Sequence, residues 1–295
     1  MLKIEQLRKS FGSKQVLKDL NLNIKDGSVF GLVGVNGAGK STLLRLIAGV
    51  YKADSGTILL EGEDTFRNAA IRKSISFVSD EAYYEPGTTI NTMKQLYQSL
   101  YDFDEALMDR CCKEFELDPA KPVAGFSKGM KRRASILFAL CTHPKLLLLD
   151  EAYDGLEPLA RLQFKRLLAE RVEEEKLSVI ISSHSLRELE DICDSFGILE
   201  DGVICEYGDL IEKKGMVNKY QAAFAEEVSR DEFNDLDILN YRSEGRVVQM
   251  AVRGEEAEVR AKLTEHHPLL LDVLPVTFEE LFIYELENRE EKNHE

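Results

Sequence analysis

No apolar run in this 295-residue chain approaches the roughly 20 residues needed to cross a bilayer. The longest, such as residues 29–35 and 146–149, are far shorter, so no span is encoded. A basic-then-apolar leader is missing as well. Residues 2–7, Leu2-Lys3-Ile4-Glu5-Gln6-Leu7, alternate as a strand does, and the expectation is a cytoplasmic chain. Basic residues are in deficit: 38 Lys and Arg against 53 Asp and Glu leave a net charge of -15. That balance argues against nucleic acid as a partner, because displacing phosphate counterions requires clustered Lys and Arg. The five cysteines, Cys111, Cys112, Cys141, Cys193 and Cys205, lack CxxC spacing and neighbouring histidine pairs. They read as buried or partly buried free thiols in a reducing compartment rather than as a zinc site or redox pair.

With 44% hydrophobic and 31% charged residues, wholesale disorder is excluded. Short apolar runs alternate with longer helical patterns, the pattern of a mostly parallel sheet covered by helices. Strands are expected at residues 2–7, 29–33, 75–78, 146–150, 179–182 and 196–200, and helices beginning at Gly39, Thr89, Asp104, Ser127, Leu159 and Ser185. Residues 2–24 and 57–60 look antiparallel, which makes the sheet mixed. Residues from about 80 to 141 read as nearly unbroken helix between two strands, hence as an insert on the side of the core. After Gly208 come a charged connector (211–215), a polar stretch, and then strand, helix and strand at 247–252, 255–266 and 269–274. The expected division is therefore a domain at 1–215, with a helical subdomain at about 81–141, and a small α+β domain at 216–295. The charged tail at 288–295 reads as frayed.

The strongest chemical signal is Gly34-Val35-Asn36-Gly37-Ala38-Gly39-Lys40-Ser41-Thr42, which fits GxxxxGK[ST] at every fixed position. It follows an apolar strand and opens an amphipathic helix through Leu43, Leu44, Leu46 and Ile47. Glycines let such a loop curl until consecutive backbone N–H groups and the helix N-terminus face an anion. Lys40 is expected to reach the β- and γ-phosphates of a nucleotide, and the Ser41 hydroxyl to bind magnesium. Four leucines, 146–149, then run into Asp150-Glu151. A strand that apolar is buried on both faces and lies centrally, so Asp150 emerges at the carboxyl edge as the metal-holding carboxylate. Glu151 is placed to polarise a water for in-line attack.

Phe126-Ser127-Lys128-Gly129-Met130, followed by Lys131, Arg132 and Arg133, lies just upstream of that strand. Together these motifs resemble the ATP-binding-cassette (ABC) ATPases over about residues 1–215. The resemblance implies an α/β P-loop NTPase core with a mixed sheet, a helical subdomain and a small α+β C-terminal appendage, working with ATP and Mg2+. It implies that Ser127 and Gly129 contact the γ-phosphate held by an opposite subunit; read alone, Ser127 is a helix cap. Phe11, in Lys9-Ser10-Phe11-Gly12, matches the aromatic that stacks on adenine, its other reading being a core phenylalanine. His184 matches the histidine that contacts the γ-phosphate.

Two positions depart from the pattern. Asp80, followed by Glu81, stands where the family presents glutamine to the metal, and Glu157 stands where aspartate is usual. The resemblance further implies a homodimer, or a dimer with a related ATPase subunit, peripheral on the inner face of the membrane beneath a separate transmembrane permease. The loop carrying Tyr83 and Tyr84 would line that partner's groove. The ending 274–282 is similar to those of drug, antibiotic and lantibiotic exporter ATPases. The competing reading is a cytosolic ABC ATPase that acts on an assembly and moves nothing across a membrane. A third, resting on Asp80 and Glu157 alone, is a catalytically weak regulatory cassette.

Overall fold

The computed structural model describes residues 2–80, 83–153, 155–209, 216–277, 279–281 and 283–284, and the chain divides into two compact units, 1–207 and 208–295. In the first unit β1 (Leu2–Phe11) and β2 (Lys14–Ile24) form a hairpin that leads into β3 (Val29–Val33) and α1 (Lys40–Ile47). Next come β4 (Ser55–Leu60), β5 (Glu63–Asp64), α2 (Ala69–Lys73) and β6 (Ile75–Val78). Three helices follow: α3 (Ile90–Leu100), α4 (Glu105–Glu114) and, after a 3-10 turn, α5 (Lys128–Leu140). The unit is completed by β7 (Leu146–Asp150), α6 (Pro158–Glu175), β8 (Ser178–Ser183), α7 (Leu186–Glu190), β9 (Ser195–Glu200) and β10 (Val203–Asp209).

Both antiparallel and parallel pairings occur in two sheets, and the larger sheet is itself mixed, because β9 and β10 are joined by only two residues. One sheet has the order β2-β1-β4-β5, the other β10-β9-β3-β8-β7-β6. In the first, β1 pairs antiparallel with β2 and β4. In the second, β3 pairs parallel with β8 and β9, and β7 with β6 and β8. An apolar core shared by the two sheets gathers Ile4 and Leu22, the α1 residues Leu43, Leu44 and Ile47, and Leu146 and Leu148 of β7. Each such side chain withdrawn from water contributes about 1.5–3 kcal/mol, which anchors α1 and so fixes where its N-terminus points.

Local chemistry sets the helix starts of the insert. Thr89 and Thr92 form a capping box on α3, Asp104 accepts from the Leu107 N–H on α4, and Ser127 accepts from the Met130 N–H on α5. Each cap satisfies one of the orphan amides of a first turn and is worth about 1 kcal/mol. The helical insert is thus three helices, and they begin at the expected positions Thr89, Asp104 and Ser127.

The second unit holds β11 (Val217–Ala223), β12 (Asp237–Glu244), β13 (Val247–Arg253), α8 (Glu256–Glu265) and β14 (Leu270–Leu274). These strands form an antiparallel sheet in the order β12-β13-β11-β14. Tyr220, Met250 and Val252 of the sheet pack with Val259 and Leu263 of α8 and with Phe233. Two of the four strands, β11 and β12, occupy what the sequence read as a polar stretch. Leu281 and Tyr284 are buried. Phe278, Phe282 and Glu285, the connector at 211–215 and the tail at 288–295 lie outside the described residues.

Four of the five thiols follow the expectation of burial, and Cys205 departs from it. Cys111, Cys112, Cys141 and Cys193 are buried and Cys205 is exposed, and none of them is joined in a disulfide. Desolvation pushes the Cys111 thiol up to about 11 and raises those of Cys141 and Cys193 as well. A thiolate-selective reagent at neutral pH is therefore expected to label Cys205 quickly and the other four only after unfolding, a result read directly from a disulfide-exchange absorbance assay.

Candidate active site

The loop at 34–39 is shaped by where α1 begins. Gly39 sits at φ 111, a backbone conformation closed to side-chain-bearing residues, and caps α1 with no side-chain hydrogen bond. The first-turn amides of α1 are therefore left without a side-chain acceptor, the condition under which a helix end holds an anion. Asn36 and Gly37 are exposed, while Ala38, Gly39, Ser41 and Thr42 are half-buried. Ala38 N–H donates to the Val35 carbonyl at 3.1 Å, closing the loop's own turn.

Lys40 is 5% exposed and its ammonium is committed at three points. It donates to the carbonyls of Gly34 at 2.6 Å and Val35 at 3.4 Å, and it lies 3.2 Å from Glu151 Oε1. The other carboxylate oxygen, Glu151 Oε2, lies 3.1 Å from His184 Nδ1. The three residues expected to act together, Lys40, Glu151 and His184, are thus joined through one carboxylate.

Ser182, which the sequence did not single out, organises the pair below them. Its hydroxyl donates to Asp150 Oδ1 at 2.7 Å and accepts from the Glu151 N–H at 3.0 Å. Its position at the end of β8, opposite Asp150 in the parallel register, was the available signal. Asp150 is wholly buried, and its Oδ2 has no hydrogen-bond partner. A buried carboxylate oxygen left without a donor carries a desolvation cost that a cation or a water would relieve.

The remaining expected residues divide in two. Phe11 is 45% exposed and meets Tyr51 edge-on at 5.5 Å, with Lys9 Nζ 5.1 Å from its ring centroid. Such a ring is a surface platform and not a core phenylalanine. Ser127 and Gly129 stand apart: among the described residues no hydrogen bond or ion pair joins either to Lys40, Asp150 or Glu151. Ser127 is exposed and caps α5, so its bland reading as a cap holds alongside any other. Gly129 is pressed against the Gly155 carbonyl, which a Cβ there would meet at 2.4 Å, so only glycine allows this approach. Asp80 is also turned elsewhere, with Oδ1 2.8 Å from Arg132 Nη2. Glu157 is the N-cap of α6 without a side-chain bond, and Asp154 beside it lies outside the described residues.

Over 96% of its length the chain is 31% identical to the ABC transporter ATP-binding protein YtrB of Bacillus subtilis (strain 168), covering 97% of that protein. It belongs to the ABC transporter ATP-binding proteins. The profile of the family described as ABC transporter matches residues 17–154. The lantibiotic transport ATP-binding protein SrtF of Streptococcus pyogenes is 36% identical over 69% of the chain and 89% of its own length. A solved ATP-binding subunit of an ABC transporter superposes with a TM-score of 0.64 at 29% identity, covering 72% of this chain and 92% of that one. The chain is accordingly an ABC ATPase, the ATP-binding and ATP-hydrolysing subunit of a transporter, and the resemblance read from its motifs is confirmed at the level of the family. No helix among the described residues is long and apolar enough to cross a membrane.

Proposed function

We propose that two copies of this ABC ATPase close on two ATP molecules, each gripped by one copy's loop at 34–42 and sealed by Ser127 and Gly129 of the other. The observation that carries this reading is the half-site: an open helix end, a buried lysine and a water-orienting carboxylate gathered together, with the signature residues unconnected to them. A phosphate arriving at the α1 N-terminus replaces Glu151 as the partner of Lys40. Glu151, freed on that side, aligns a water and takes its proton as the water oxygen attacks the γ-phosphorus and the bond to the β-phosphate oxygen breaks. His184 holds the second oxygen of Glu151 and faces the transferred phosphate. Phe11 offers its exposed ring to the adenine.

The donors present fit magnesium. Ser41 and Asp150 supply hard oxygen, and Asp150 Oδ2 is buried and unclaimed. Among the described residues no group of three His, Cys, Asp or Glu could hold a metal unaided, which suits an ion that arrives with phosphate oxygens as its other ligands. When bound, magnesium neutralises phosphate charge. Asp80, the third expected ligand, meets Arg132 through Oδ1.

For the partner, a groove of about 690 Å3 runs between β6, the loop after it, α3 and α5. Tyr83, 84% exposed, is free to meet an incoming side chain. Tyr84 is instead anchored on α5 by the Ser135 hydroxyl, and burial raises its own hydroxyl above the ordinary tyrosine range. We assign this groove to a transmembrane permease subunit, which places the chain on the cytoplasmic face, and the likeness to a lantibiotic transport protein favours export. The test is purification of the tagged chain from membranes. A polytopic protein that co-purifies, and is lost when Tyr83 and the groove residue Leu96 are changed to Asp, supports the assignment; recovery of the chain from the cytosol alone, active and unaccompanied, contradicts it.

A further inference from the structure

Arg132 lies on α5 one turn beyond the cap Ser127, and its side chain is 3% exposed. A guanidinium so deep must place its N–H groups on acceptors, and four contacts do so. Nη1 donates to the Ser79 carbonyl at 2.7 Å and the Asp150 carbonyl at 3.2 Å, and Nη2 donates to the Asp80 carbonyl and to Asp80 Oδ1, both at 2.8 Å. One planar group thereby ties three segments together: the helix that carries Ser127 and Gly129, the loop after β6, and the end of β7 that presents Asp150 and Glu151.

We propose that Arg132 is a positioning residue for hydrolysis, holding the carboxyl end of β7 in register with the loop after β6. This rests on the active-site reading above. The unusual residue at position 80 follows from it. A buried guanidinium requires an anion, and Asp80 is the carboxylate that meets it, whereas a glutamine there would leave the charge among neutral carbonyls. Lysine cannot take over, because a single ammonium has no planar fork with which to reach three backbone carbonyls and a carboxylate at once. The pair also reaches beyond the site, since Ser79 lines the groove assigned to the permease.

The experiment measures steady-state turnover, the KM for MgATP and the melting temperature of the purified full chain and its variants. In Arg132→Gln and Arg132→Lys, kcat is expected to fall about tenfold or more, with KM within about threefold of wild type, because the loss is of alignment and not of nucleotide contact. A kcat within about twofold of wild type, or a KM that rises in step with the loss, overturns the proposal. Asp80→Gln, which alters only the half-exposed end of the arrangement, carries the same test should both Arg132 variants fail to fold. It is expected to lower kcat about threefold or more at unchanged KM, and no change in kcat overturns the proposal. Combined with Arg132→Gln it should cost no more than Arg132→Gln alone, whereas independent roles would multiply. Lys40→Ala separates the two levels: if it binds MgATP as wild type does, the phosphate-loop reading has failed and not the role of Arg132.

Discussion

Replacing Glu151 with glutamine is expected to lower ATP turnover by about 10²–10⁴-fold while leaving MgATP binding intact or tighter. The side chain keeps its shape, and its backbone N–H keeps the Ser182 hydroxyl, so the left-handed turn at φ 49 is undisturbed. What is lost is the charge. Without it the side chain can no longer take a proton from water, and the 3.2 Å ion pair with Lys40 is gone. Phosphate then meets a lysine with one competitor fewer, which is why affinity should not fall. The check is phosphate release at saturating MgATP alongside a direct binding titration. Loss of binding in parallel with turnover would mean that the carboxylate supports the fold of the loop and not the chemistry.

Asp150→Asn should separate stability from activity in opposite directions. Asp150 is wholly buried, with Oδ1 on the Ser182 hydroxyl and Oδ2 without a hydrogen-bond partner. A neutral amide in that place keeps the Ser182 bond and removes an incompletely compensated charge, so the variant is expected to be more stable by about 1–3 kcal/mol. Turnover should fall at least about a hundredfold, because the carboxylate assigned to magnesium is gone. Denaturant unfolding without nucleotide, read beside the turnover of the same preparation, checks both signs. A variant that is clearly less stable than wild type would show that Oδ2 is satisfied in solution.

How far the chain could be read in advance depended on how local the controlling interaction is. Thr89, Asp104 and Ser127 were legible as helix starts because a cap is settled within three residues. β7 was legible because four leucines in a row have no other place than a covered central strand. The candidate site was legible wherever one segment builds it alone, as at 34–42. By contrast, β11 and β12 were missed: the adjacent polar residues Asn218 and Lys219 interrupt the alternation at the start of β11, and a register shift between Ile238 and Asn240 breaks that of β12. That β1, β2, β4 and β5 form a sheet apart from the other six strands depends on which strands meet in space, which no single segment records. Asp80 and Arg132 are separated by 52 positions, so the sequence displayed a departure from the family pattern without the cation that accounts for it. Ser182 was overlooked for the same reason, because its partners come from the neighbouring strand. The twin tyrosines read alike as sequence, and the Ser135 hydroxyl and the Lys131 carbonyl, both on α5, distinguish an anchored Tyr84 from an exposed Tyr83.

The sealing of nucleotide between two copies is tested most directly by the mass in solution of the Glu151→Gln chain with and without MgATP. Light scattering should give the 33.4 kDa of one chain in the absence of nucleotide and twice that value when MgATP saturates it. A single-chain mass at saturating MgATP would contradict the account, because Ser127 and Gly129 would then have no second phosphate site to complete.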